Sequence, residues 1–220
     1  MSPSAINFWK KRNKNNKSAI DTILTKAGFD KNQERNEDGT WGSGNVSLQS
    51  FEDSIRENKF ETAGVYDEDG NLILEKKGDE SSVAFTKDEM KLMMEKGVIF
   101  THNHPGGSSF SKADVIAFNR LGLREIRAVS ENGLTHSLKL GNRTEYILAN
   151  GISNEKINDL FTTASTWAEL KTDQIWENRP NNVSDEWVKK LNYMLHHETM
   201  LYFTNMPELK GYYIYNKFKD

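Results

Sequence analysis

The chain has no cysteine among its 220 residues. Disulfide stapling and thiolate metal sites are therefore excluded, and any metal it holds must be held by His, Asp or Glu. It has no apolar run of transmembrane length and no apolar core near its N-terminus of the kind a signal peptide needs. Nor has it an excess of positive charge. The formal net charge is -3, which argues against wholesale wrapping of nucleic acid. Hydrophobic residues make up only 36%, so part of the chain is expected to be loop, and no internal repeat is visible. These absences predict a soluble, cytoplasmic protein with no membrane contact and nucleic acid an unlikely partner.

What is present divides the chain into three. Residues 1–50 read as a basic tail, a short helix and a loop. Lys10, Lys11, Arg12, Lys14 and Lys17 follow directly on Phe8 and Trp9. Ser18 to Ala27 then carries a helical apolar face ending at Gly28, and Trp41 sits in a Gly-rich loop. Residues 51–141 read as a compact α/β (α+β) unit. Phe60–Tyr66 and Leu72–Leu74 flank the Asp-Gly turn of a hairpin. Thr86 and Glu89 form a capping box that opens a helix with Met90, Leu92, Met93 and Met94 on its buried side. A second helix is expected from Ser111 to Leu121, followed by a hairpin over Ile126–Val129 and Leu134–Leu140 with an Asn-Gly turn. Residues 142–220 read as a helical extension. One stripe runs through Ile157, Leu160, Phe161, Ala164, Trp167 and Ala168, and a second through Trp187, Val188, Leu191, Leu195 and Tyr202. A short strand around Gly211–Tyr215 closes the chain.

The chemistry concentrates in Val98–Asp114. Val98, Ile99 and Phe100 read as a short buried strand, with His102 and His104 at its end. Positions i and i+2 of an extended chain face the same way, so both imidazoles can reach one point. Pro105 stops the strand, and Gly106 and Gly107 allow a sharp turn. Ser111 opens a helix with Asp114 on its first turn. Two imidazoles and a carboxylate returning on a helix are the ingredients of a catalytic metal site with one open position. Ser111 and Asp114 are also a helix-capping pair in their own right, and the two roles compete for Asp114. His196, His197 and Glu198 form a second conceivable cluster. Adjacent helical residues, however, point about 100° apart and chelate poorly together. His136 lies in the last hairpin, within conceivable reach of the site.

His-Asn-His-Pro, a short Gly-containing loop and Ser-x-x-Asp, with Glu61 on an earlier strand, resemble the JAMM motif of the JAB/MPN superfamily. The wording is similar to RadC-type bacterial proteins and to JAB-like domains of phage minor head proteins. The resemblance spans roughly residues 58–140. Five residues separate Pro105 from Ser111, one fewer than the common family spacing. The resemblance implies a JAB/MPN-like (cytidine-deaminase-like) mixed sheet flanked by helices and one zinc ion per chain. It implies His102, His104 and Asp114 as the ligands, Glu61 as general base and Ser111 as oxyanion donor. The implied activity is hydrolysis of an amide or isopeptide bond in a peptide or protein, typically at a ubiquitin-like tail. Two alternatives stand beside it. One is a catalytically inactive JAB-like scaffold that binds partners through its helical C-terminus, related to phage or anti-defence proteins. The other is a RadC-like nucleic-acid-associated protein using the basic N-terminal run.

Overall fold

A computed structural model describes residues 46–141 and 153–219. The basic run of residues 1–17, the helix expected at 18–27 and the Trp41 loop lie outside these described residues. Chain order is α1 (Leu48–Ile55), β1 (Thr62–Tyr66), β2 (Leu72–Lys77), α2 (Lys87–Lys96), β3 (Ile99–His104), α3 (Lys112–Leu121), β4 (Glu125–Ser130), β5 (Leu134–Leu140), α4 (Asn154–Glu177), α5 (Asp185–Asn205) and β6 (Tyr213–Lys219).

Local chemistry sets most of these boundaries. The Asp67 carboxylate accepts the amides of Asp69 and Asn71, folding the turn between β1 and β2. Thr86 and Glu89 form the reciprocal capping box that starts α2, and Gly97 ends it in the left-handed region. Ser111 and Asp114 do the same for α3, with Gly122 at its end. The first strand begins at Thr62, two residues later than the pattern predicts. The carbonyls of Asn58 and Phe60 are taken by the Asn103 side chain, so they do not join the ladder.

The strands form one mixed sheet in the order β2-β1-β3-β4-β5-β6. Only β3 and β4 run parallel, with α3 as their crossover. The last strand is Tyr213–Lys219, longer and later than the expected one, and it pairs along the whole of β5. The C-terminal part of the chain, described over 153–219, thus returns to the same sheet. Among the described residues the protein is therefore a mixed α/β fold of six strands and five helices.

Strand alternation divides the core. On one face Val65, Phe100, Ile126 and Leu138 pack with Met93, Phe118, Phe161, Met200 and Phe203. On the other, Phe51 and Ile55 of α1 cover Tyr66 and Val129. That second face also carries a buried polar knot. Glu52, fully inaccessible, pairs with Arg127 Nε at 2.6 Å and accepts the Thr101 hydroxyl at 2.8 Å.

Two stripes differ from the sequence pattern. Trp167 is 57% exposed, although the rest of its stripe is buried. The core face of α5 is Thr199, Met200, Phe203 and Thr204, while Val188 and Tyr202 are largely exposed. A stripe read on one helix cannot say which stretch of it meets the sheet. Only the C-terminal turns of α5 reach the core, and Trp187 packs on Trp176 of α4 instead.

Candidate metal centre

The centre forms where β3 ends. His102 and His104 share the face that carries Phe100, and Phe100 stacks on His102 with centroids 5.0 Å apart. The chain then turns back on itself. Gly107 donates its amide to the His104 carbonyl with φ at 72°, a conformation that favours glycine. That turn delivers the start of α3 beside the two imidazoles.

Three side chains converge. His102 Nε2 and His104 Nε2 lie 2.8 Å apart. Asp114 Oδ1 is 3.2 Å from His102 Nε2, and Oδ2 is 3.5 Å from His104 Nε2. All three are buried or nearly so, and they offer ligand atoms that lie within 4.8 Å of one another. The competition expected at Asp114 is resolved by its two oxygens. Oδ2 accepts the amide and the hydroxyl of Ser111, each at 2.7 Å, while Oδ1 faces His102.

The hydrogen-bond partners bear on the donor character of the set. His104 Nδ1 is 3.1 Å from the Ser108 carbonyl, which can only accept. The Ser108 hydroxyl stands 3.2 Å from the same nitrogen; a hydrogen on Nδ1 satisfies the carbonyl and leaves the Nε2 lone pair inward. Burial, then the neighbouring His102, push His104 down to about 4, so it is neutral near pH 7. Burial also pulls on His102. The Asp114 charge and hydrogen bond, with Glu61 adding, outweigh it and leave His102 above the ordinary imidazole value. Asp114 is opposed by its burial, yet His102, His104 and the Ser111 hydroxyl hold it well below the usual carboxylate range. An ionised carboxylate and inward-facing imidazole nitrogens aimed at one point form a donor set that could hold a metal ion.

Glu61 stands just ahead of β1, and its backbone is tied to Gly78 and Asp79 by bonds of 2.8 and 2.7 Å. The register pairs Ala63 with His102. Alternation then puts Glu61 on the same face, level with His104. Its electrostatics agree. Burial raises the Glu61 carboxyl above its ordinary value, His102 opposes the rise, and Asp114 and Asp79 add to it. Glu61 thus faces the centre without belonging to the convergent trio.

Several neighbours carried little or no sequence signal. Ser108, which orients His104, is one of several serines in a loop. Asn103 lies between the two histidines but turns to the opposite face, where alternation alone would place it. His196 and His197 diverge, as their spacing on a helix requires. His197 bonds the Tyr215 hydroxyl at 2.9 Å, while half-buried His196 feels the Asp114 charge. His136 does not join the centre. It is fully buried on β5, with Ala128 of β4 between it and His102, and it bonds Tyr215. A cleft of about 650 Å³ opens beside the site loop, bordered by Gly106, Gly107, Lys59, Glu131, Lys189 and Tyr193. No helix among the described residues is long and apolar enough to cross a membrane. Comparison of the chain with protein-family models, with curated proteins and with solved structures finds no match.

Proposed function

We propose that the protein is a zinc-dependent hydrolase of the JAB/MPN (JAMM) kind, acting on an amide or isopeptide bond of a peptide or protein. The observation that carries this reading is the convergence of His102, His104 and Asp114 on one point, with Glu61 on the same face. Zinc fits the donor set. It takes imidazole and carboxylate ligands, and tetrahedral bonds of about 2.0–2.1 Å put ligand atoms about 3.3 Å apart. The 3.2 Å from Asp114 Oδ1 to His102 Nε2 is close to that spacing, and the 2.8 Å imidazole pair needs only a small opening.

The chemistry a zinc ion supplies at such a site is a water acidified to a pKa of about 7 and polarisation of the scissile carbonyl. The remaining work falls to side chains of this chain. Glu61, with its carboxyl raised by burial, takes the proton of the attacking water and returns it to the leaving nitrogen. Ser111 gives its hydroxyl hydrogen to Asp114 Oδ2. In the reaction it turns that hydrogen to the developing oxyanion. Ser108 keeps the His104 lone pair inward.

Zinc analysis of the purified, refilled chain tests this reading. About one zinc per chain is expected, lost in His104→Ala and Asp114→Ala. Glu61→Gln should keep the zinc and lose hydrolysis of peptide and isopeptide substrates. A folded wild-type chain that takes up no zinc refutes the reading.

A further inference from the structure

We propose that Asn103 is a positioning residue for Glu61. Its buried side-chain amide grips the backbone on both sides of Glu61 and so sets where that carboxylate stands relative to the centre. The inference rests on the metallohydrolase reading above, because it assigns Asn103 a task only if Glu61 serves the site.

Asn103 sits between the two histidines on β3, with its side chain on the opposite face and no exposed surface. It makes three hydrogen bonds, all to one short stretch of backbone. Its Oδ1 accepts the Thr62 amide at 2.6 Å. Its Nδ2 donates to the Phe60 carbonyl at 3.2 Å and to the Asn58 carbonyl at 3.0 Å. The residue between Phe60 and Thr62 is Glu61.

The sheet explains why a side chain is needed there. The ladder between β1 and β3 ends at the pair Ala63 and His102. Beyond it the Thr62 amide is satisfied by a side chain of β3, so no buried amide is left unpaired where the ladder stops. On its other flank Glu61 is held by Gly78 and Asp79. One clamp therefore comes from the β2 side and one from β3, and the β3 clamp is part of the strand that carries both imidazoles. Any shift of the histidines is passed to Glu61 through Asn103. Among side chains of this length, asparagine alone offers both an acceptor for the amide and donors for the carbonyls. Aspartate would face two carbonyl oxygens with a charge, and serine is too short to span the set.

Cobalt(II) in place of zinc gives a readout that does not depend on an unidentified substrate. The full chain is loaded with one equivalent of cobalt, and the pH midpoint of its visible absorption change is followed. Wild type, Asn103→Ala, Glu61→Gln and the double variant are compared. Asn103→Ala should still bind cobalt. Its midpoint should move in the same direction as that of Glu61→Gln, by about half to one pH unit. The double variant should move no further than Glu61→Gln alone, because both changes act through one carboxylate. A merely structural role lowers the melting temperature and leaves the midpoint in place. An Asn103→Ala midpoint equal to that of wild type, or shifts that add in the double variant, overturns the proposal. Should Asn103→Ala fail to fold, Asn103→Ser is judged by the same two criteria. Wild type that binds no cobalt refutes the metallohydrolase reading itself, and this inference falls with it. That outcome is distinct from a cobalt-loaded protein whose midpoint ignores residue 103.

Discussion

Asp114 Oδ2 caps the helix and also stands 3.5 Å from His104, while Oδ1 faces His102, and Asp114→Asn keeps a capping oxygen while removing the charge. An asparagine oxygen can still accept the Ser111 amide now bonded at 2.7 Å, so α3 keeps most of its cap. Asp114→Ala loses the carboxylate half of the capping box but keeps the backbone amide of residue 114 that the Ser111 hydroxyl accepts, and costs up to about 1 kcal/mol. Both variants also lose the charge that faces His102. Each is therefore compared with itself, with and without zinc. At a zinc concentration about 100 times the wild-type dissociation constant, binding stabilises the folded chain by roughly 2.7 kcal/mol. For a chain of this size 1 kcal/mol corresponds to about 2–4 °C, so zinc should raise the wild-type melting temperature by roughly 5–11 °C. Replacing even the hydrogen-bond partner of a ligand weakens binding about 10- to 100-fold, and losing the charged ligand weakens it at least as much. At about 100-fold the same zinc only half-fills the site and contributes roughly 0.4 kcal/mol, or about 1–2 °C. Differential scanning fluorimetry at fixed zinc resolves the two cases. An equal zinc-induced rise in Asp114→Asn would refute Asp114 as a ligand.

Two further predictions concern the scaffold. Arg127 makes a bidentate pair with the fully buried Glu52, at 2.6 and 2.8 Å, and also reaches Glu125. Arg127→Met leaves those carboxylates buried without it and should cost about 3–5 kcal/mol in urea unfolding. The double variant with Glu52→Leu should recover much of that loss, and a single-variant cost below about 1 kcal/mol would contradict the assignment. His136 is fully buried, and burial first, then His197, His104 and Lys217, push it down to about 3. The unfolded chain binds this proton at about 6.5 and the folded chain resists it. Its contribution to stability is therefore complete above pH 6.5 and falls as pH drops from there toward 3, by about 1.4 kcal/mol per unit. The stability difference between wild type and His136→Gln should vary with that slope between pH 6 and 4; a pH-independent difference would show that His136 titrates normally.

The elements of the sheet could be read from residues that act locally. The Asp-Gly turn, the Thr86 and Ser111 caps and the glycines that end α2 and α3 each fix a boundary within a few residues, and all stand where their chemistry requires. The pairing of the candidate ligands was legible for the same reason. His102 and His104 are neighbours on one strand, and Asp114 is brought back by a turn whose glycines are visible. Contacts made across long separations were not legible. Nothing near residue 215 announces that β6 will pair with β5, and nothing in the α5 pattern shows that its C-terminal turns alone meet the core. Asn103 belongs to the same class. Its partners lie more than forty positions earlier, and its role appears only when strand alternation is combined with the point at which the β1–β3 ladder stops.

The site and the fold are accordingly coupled at Asp114. The helix it caps is the crossover that makes β3 and β4 parallel neighbours, and that crossover must begin at the end of β3, where the imidazoles are. A carboxylate at the third helical position is favoured there by the helix dipole and by the Ser111 amide before any metal is considered. Two imidazole nitrogens 2.8 Å apart facing an ionised carboxylate are then a consequence of how this β-α-β unit closes. The arrangement is preorganised by backbone geometry: the candidate ligands are held by β3 and by a capped helix start, and zinc binding should require little ordering of the described residues. The heat-capacity change on titrating zinc into the apoprotein tests this. A small value is expected, whereas a large negative one would show that the site folds around the ion.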